Sequence, residues 1–230
     1  MHSLATMCRM LACIGYTEIE DLLLAFRQLA ITGKSTDGKG HRDGWGIGWY
    51  TDGNDCYLSK KAECASTSDL YMDTVKRVIH DHATIFLAHL RKASPSTPVT
   101  DKEAHPFRSN NLLFCHNGTI KKWDDQPLGE DLDTLLFFRK IQETSIESAI
   151  NYFKRFNYTS LTFLLTDGRT IWAYRDFREK EGYYTLYYLK TEEFVLFCSE
   201  PIIQGEWVLL NNGELITCSH LDITITRLTS

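Results

Sequence analysis

Two periodicities run through the apolar positions of this chain. Residues 7–15 (MCRMLACIG) form an apolar, β-like run that stops at glycine. Residues 18–31 carry apolar side chains at Ile19, Leu22, Leu23, Phe26, Leu29 and Ala30, a spacing that predicts a helix with one apolar face. Thr17 is placed to cap it, with Glu20 three residues on as the return arm of a capping box and Gly33 as the stop. After the polar, glycine-rich loop 35–42, residues 44–50 (GWGIGWY) and 56–61 predict two strands joined by an Asp52-Gly53 turn. The glycines of the first strand imply a close approach of its backbone to something else. Residues 68–80 predict a helix with Leu70, Val75, Val78 and Ile79 turned inward. Residues 83–90 (ATIFLAHL) are continuously apolar, as expected of a strand covered on both faces, and bring His89 and Arg91 to its C-terminal end.

Residues 95–108 form a long loop that holds three of the chain's five prolines, Pro95, Pro98 and Pro106. Long loops in compact domains are often functional. The apolar run 112–116 ends at Asn117-Gly118. Helices are predicted over 133–144 and 145–156, the second capped by Ser145. From residue 158 onward the pattern changes to short strands, at 158–166, 169–175, 183–190, 194–199, 206–210, 214–218 and 222–228. Asp167-Gly168 and Asn212-Gly213 read as hairpin turns. There is no repeat, low-complexity tract or linker. One domain of many strands and about four helices follows, sheets layered with helices.

Composition narrows the function classes. The chain has 230 residues, 43% hydrophobic, with a net charge of −5 and a pI near 5.9. Lys and Arg are scattered, so there is no nucleic-acid footprint. No apolar stretch approaches the length of a membrane span, and residues 1–6 contain no long apolar segment of the secretory type. The seven cysteines have no C-x-x-C pair, and His220, two residues from Cys218, has no partner pair at zinc spacing. They read as reduced, mostly buried thiols of a cytoplasmic protein, with no metal site and no cofactor.

The Asn117-Gly118 pair places a side-chain amide donor beside a backbone N–H with no Cβ in the way. Two converging donors suit a developing oxyanion. The pair is also the commonest short hairpin signal, and both readings stand on these residues alone.

Set in order, the marked segments are Met7-Cys8-Arg9-Met10, His41-Arg42-Asp43-Gly44-Trp45-Gly46-Ile47-Gly48, His89-Leu90-Arg91-Lys92-Ala93-Ser94, His105-Pro106-Phe107, His116-Asn117-Gly118 and Asp133-Thr134. In this order and spacing they resemble the class-II glutamine amidotransferases, the N-terminal-nucleophile family with an N-terminal cysteine. The likeness is close over roughly the first 140 residues. It is nearest the stand-alone type that opens Cys-Arg-Met/His-Leu and includes γ-glutamyl hydrolases of thiol metabolism. Ser94 stands where the family often has Thr. Asp133 matches the family's acidic segment, with Asp131 a nearby competitor.

The resemblance implies an α+β, four-layer αββα N-terminal-nucleophile fold with two stacked antiparallel sheets. Residues 8–230 would be a single amidotransferase domain, and residues 1–7 a leader absent from active protein. It implies hydrolysis of a γ-glutamyl amide, of glutamine or a γ-glutamyl thiol compound, through a thioester on Cys8. Asn117 and Gly118 would form the oxyanion hole. Arg91, helped by Ser94, would bind the substrate α-carboxylate, and Asp133 its α-ammonium. Any passage of ammonia would need a separate synthase or peptidase chain. The alternative is a binding or scaffold subunit that keeps the fold without catalysis. For single residues other readings stay open: a structural ion pair for Arg91, a helix N-cap for Asp133, and core-satisfied histidines at His41, His89, His105 and His116.

Overall fold

The computed structural model describes residues 7–15, 18–94, 97–124, 126–129 and 131–228. Two antiparallel sheets dominate. The first contains β1 (Arg9–Gly15), β2 (Gly44–Tyr50), β3 (Cys56–Lys61), β4 (Ile85–Arg91), β11 (Tyr187–Lys190), β12 (Phe194–Cys198) and β13 (Val208–Leu209), in the order β13-β11-β12-β1-β4-β2-β3. The second contains β5 (Phe107–Ser109), β6 (Leu112–Asn117), β9 (Thr162–Thr166), β10 (Thr170–Arg175), β14 (Glu214–Ser219) and β15 (Asp222–Arg227), in the order β15-β14-β10-β9-β6-β5. A short ribbon pairs β7 (Ile120–Lys121) with β8 (Asn157–Tyr158). The helices are α1 (Ile19–Thr32), α2 (Asp69–His80), α3 (Asp133–Glu143) and α4 (Ile146–Phe153).

Strand alternation turns this list into layers, because successive side chains leave opposite faces. Leu11 and Cys13 of β1, with Trp45, Ile47 and Trp49 of β2, pack on Leu22, Phe26, Tyr71, Val75 and Val78 of α1 and α2. Their neighbours Met10, Ala12 and Ile14 face the other way, against Leu113, Cys115, Leu164, Ala173 and Ile216 of the second sheet. The far side of that sheet, Phe114, Phe163, Leu165 and Tyr174, packs on Phe137, Phe138, Ile150 and Phe153 of α3 and α4. Three cores separate four layers, the αββα arrangement.

The glycines of β2 have the expected cause. A Cβ on Gly46 would lie 2.2 Å from the His105 carbonyl oxygen, and one on Gly48 would lie 2.5 Å from Leu113 Cδ1. These positions face the second sheet and the loop before β5, which approach too closely for a side chain.

Several local expectations change. The N-cap position of α1 is Glu18, with no side-chain capping bond, and Thr17 lies outside the described residues. On α2 the buried stripe is Tyr71, Thr74, Val75 and Val78, while Leu70 and Ile79 are exposed. Ser68 caps α2 through the Tyr71 N–H, and Ser145 caps α4 through the Ser148 N–H. Most of the C-terminal strands are shorter than the apolar runs, β14 being one residue longer, and residues 183–186 are not strand. Asp167-Gly168 joins the paired strands β9 and β10, but Asn212-Gly213 carries the chain from β13 in one sheet to β14 in the other. Nor is Asn117-Gly118 a hairpin: β6 pairs with β5 and β9, and the chain leaves it for the separate β7–β8 ribbon. Gly118 is needed on steric grounds instead, since a Cβ there would meet the Ser160 carbonyl oxygen at 2.0 Å. Among the described residues no helix is long and apolar enough to cross a membrane.

Candidate active site

Strand parity collects the marked residues at one end of the space between the sheets. Cys8 immediately precedes β1, on the same side as Met10 and Ala12. His89 and Arg91 share the parity of Ile85 and Leu87 on β4, and Asn117 ends β6 in phase with Leu113 and Cys115. Cys8 and Asn117 meet directly: the Cys8 backbone N–H donates to Asn117 Oδ1 at 2.9 Å. Because the N–H can only donate, the amide orientation is fixed. Nδ2 then points elsewhere, buried and without a hydrogen-bond partner among the described residues. Cys8 is here joined to Met7, so its peptide N–H stands where an N-terminal α-amine would be.

The thiol is held against the chain that follows β4. Its Sγ lies 3.8 Å from the Lys92 carbonyl oxygen. That segment is clamped by Asp43, whose N–H donates to the Arg91 carbonyl at 3.0 Å and whose carboxylate accepts from the Ala93 N–H at 2.8 Å. Burial pushes the Cys8 thiol above its ordinary pKa; the Lys92 contact and the charges of Arg91 and Arg9 pull it partly back. At neutral pH the group is a thiol, and it needs a base before it can act as a nucleophile.

Arg91 is buried, forms no ion pair among the described residues, and leaves Nη1 without a hydrogen-bond partner. A desolvated guanidinium with an unused donor is arranged to take an anion. Ser94 follows it, half-buried, with its carbonyl accepting from the Thr97 N–H at 2.8 Å. Asp133 is the first residue of α3 rather than its N-cap. Its carboxylate accepts from the Ile120 N–H at 2.6 Å and the Thr134 N–H at 2.8 Å, tying the helix start to the segment after Gly118. Among the described residues no hydrogen bond or ion pair joins Asp133 to Cys8 or Arg91.

The histidines divide. His116 is satisfied: Nε2 donates to the Ser160 carbonyl at 2.9 Å and Nδ1 accepts from the Thr134 hydroxyl at 3.2 Å. His89 and His105 are not, as all four of their ring nitrogens lack partners among the described residues while the rings stack at 4.4 Å. His41 donates from Nδ1 to the Met7 carbonyl at 2.8 Å. Burial drives His89 and His105 well below the ordinary histidine pKa, with positive Arg91 adding to it, and takes His41 down to about 3. These three remain neutral when the unfolded chain is protonated, so stability is intact above pH 6.5 and is lost as pH falls below it. Each contributes up to about 1.4 kcal/mol per pH unit. Urea unfolding at pH 5.5 should therefore show a midpoint well below that at pH 7.5, with an upper bound of about 4 kcal/mol lost. An equal or higher midpoint at pH 5.5 would contradict neutral, buried rings.

Two contributors carried no sequence signal of their role. Arg9 is fully buried and binds the Cys8 carbonyl at 2.9 Å, the Lys34 carbonyl and the Glu200 carboxylate. Glu200 in turn accepts from the Lys34 N–H at 2.8 Å. This lock joins the start of β1, the end of α1 and the segment after β12. The position of Arg9 beside Cys8 was visible, but a partner 191 residues away was not.

The family model described as class-II glutamine amidotransferases matches residues 7–195. The chain belongs to that family. An uncharacterised protein of Methanocaldococcus jannaschii is 26% identical, over 76% of this chain and 61% of its own length. The glutamine phosphoribosylpyrophosphate amidotransferase of B. subtilis, solved with ADP and GMP, superposes with a TM-score of 0.71 at 15% identity, covering 96% of this chain and 49% of that one. A glutamine aminotransferase class-II domain protein of Silicibacter pomeroyi gives 0.61 at 17% identity, covering 97% and 100%. The chain thus spans about half to three fifths of the length of these first two relatives, and the solved structures share its fold.

Proposed function

We propose that the protein is a γ-glutamyl amide hydrolase, acting on glutamine or on a γ-glutamyl thiol compound, with Cys8 as the first residue of the active chain. The observation that carries this reading is the Asn117 amide: one end takes the Cys8 nitrogen, and the other is a buried donor with no partner. With residues 1–7 removed, the peptide nitrogen becomes an α-amine of ordinary pKa about 7.7–8.0, suited to accept the thiol proton near neutral pH. The thiolate attacks the substrate γ-carbonyl. Asn117 Nδ2 and the Gly118 N–H hold the tetrahedral oxyanion. The amine leaves with the proton from the α-amine, and water hydrolyses the thioester to release glutamate. Arg91 takes the α-carboxylate as a bidentate fork, Ser94 adds a hydrogen bond, and Asp133 faces the α-ammonium. All seven cysteines are unpaired, which suits a reducing, cytoplasmic setting. Transfer of ammonia to an acceptor would engage a separate synthase chain.

The test is a substrate panel on protein released from a fusion so that Cys8 is first, beside the same protein retaining residues 1–7. Glutamine, glutathione and γ-glutamylcysteine separate the two substrate types, and an α-linked glutamyl amide is the control. Turnover of γ-linked compounds only, by the Cys8-first form only, is expected. Full activity in protein whose intact mass includes Met1 would overturn the N-terminal nucleophile. Failure of both forms on every compound would favour the scaffold alternative.

A further inference from the structure

The contact between His41 and Met7 has a consequence once residues 1–7 are gone. Met7 is fully buried, and its carbonyl is the acceptor for His41 Nδ1 at 2.8 Å. That oxygen lies roughly 2.2 Å from the Cys8 nitrogen by peptide geometry, so Nδ1 stands within about 5 Å of it. We propose that His41 is a positioning residue for the α-amine of Cys8, joined to it through one water that settles at hydrogen-bond distance from both, close to the place of the lost Met7 carbonyl oxygen. This deepens the reading of Cys8 as an N-terminal nucleophile and rests on it.

The geometry gives the amine two anchors. Asn117 Oδ1 accepts one N–H, and the water, donating to His41 Nδ1, accepts a second. The lone pair is left directed at the thiol. A peptide carbonyl can only accept, so His41 carries its proton on Nδ1 while Met7 is present; after removal Nδ1 becomes the acceptor and the proton moves to Nε2, which is buried and has no hydrogen-bond partner among the described residues. The ring is locked from behind by the Gly33 backbone, where even a Cβ would approach Nε2 to 2.9 Å. Arg9, Lys92 and His89 are the titratable groups acting on the ring, and Arg91, Arg9 and Asp43 those acting on the Cys8 thiol. With the cations Arg9 and Lys92 acting on the ring and Arg91 on the thiol, a neutral imidazole orients the amine without adding positive charge.

The test uses the Cys8-first protein. His41→Met should lower kcat about tenfold and shift the acid limb of kcat/KM to lower pH, because an acceptor that favours the protonated amine is gone. His41→Gln, which restores a side-chain oxygen, should recover most of both. A purely structural histidine predicts a lowered melting temperature, with kcat per folded molecule and the acid limb unchanged, and that result overturns the proposal. Imidazole 15N shifts of wild-type protein read the same question without substitution. Nδ1–H is expected in the form retaining Met7 and Nε2–H in the Cys8-first form, and the same tautomer in both overturns it. Cys8→Ala separates the two levels. If that variant still turns over substrate, the nucleophile is misassigned. If it is inert while His41→Met keeps the wild-type limb, only the role of His41 falls.

Discussion

Cys8→Ala should abolish γ-glutamyl hydrolysis and leave the fold standing. The thiol makes one weak contact, 3.8 Å to the Lys92 carbonyl, and is only partly enclosed, so its removal should barely move the melting temperature. The chemistry has no substitute: an alanine methyl forms no thioester. Cys115→Ala is the contrasting control. Its thiol is fully buried between the sheets, so its loss should cost on the order of 1 kcal/mol of stability with turnover per folded molecule retained. Cys13 cannot stand in for Cys8. It lies on the helix-facing side of β1 with Leu11, and burial raises its pKa far above neutrality. Hydrolysis persisting in Cys8→Ala at wild-type rates would remove the thioester from the mechanism.

Much of the architecture was legible because each face of each strand is dedicated to one core. The run 83–90 is apolar at every position since β4 is buried on both sides, and the glycines of 44–50 mark the side where the second sheet comes close. What failed locally was decided at long range. The α2 stripe keeps the expected Val75 and Val78 but has Tyr71 and Thr74 in place of Leu70 and Ile79, because Tyr71 and Thr74 are buried through their own hydrogen bonds, Tyr71 to the Leu23 carbonyl and Thr74 to the Leu70 carbonyl and Ser59. Residues 183–186 look like a strand, but the buried Arg175 guanidinium takes the carbonyls of Glu181, Tyr184 and Leu210, using backbone acceptors a ladder would need. Asn212-Gly213 has turn chemistry, with Gly213 at φ +80°, yet nothing local says which two sheets the turn joins. At the site, the nucleophile, the amide and the arginine were readable as residues at strand ends. The Arg9–Glu200 lock and the unpartnered His89–His105 pair were not, because their meaning lies in distant partners or in the lack of any.

Asn117 and Arg91 should fail in different kinetic constants. The oxyanion exists only along the reaction path, so Asn117→Ala should lower kcat by roughly 10²–10³, about 3–4 kcal/mol, with little change in KM. The α-carboxylate is present in ground and transition states alike, so Arg91→Ala should mainly raise KM, and Arg91→Lys should recover it only in part because an ammonium cannot form the bidentate fork. Asn117 has a second duty, since Oδ1 holds the Cys8 nitrogen. Asn117→Asp separates the two. It keeps an oxygen for the amine and replaces the donor with negative charge beside the developing oxyanion, so it should be at least as slow as Asn117→Ala. Asn117→Gly tests the turn chemistry the sequence also allowed. Asn117 pairs with Thr162 in the β6–β9 ladder and needs no left-handed backbone, so glycine gains nothing there and should remain defective. If Asn117→Asp instead kept wild-type kcat while Asn117→Ala lost it, the amide would serve only to hold the amine, and the oxyanion would have to rest on the Gly118 N–H.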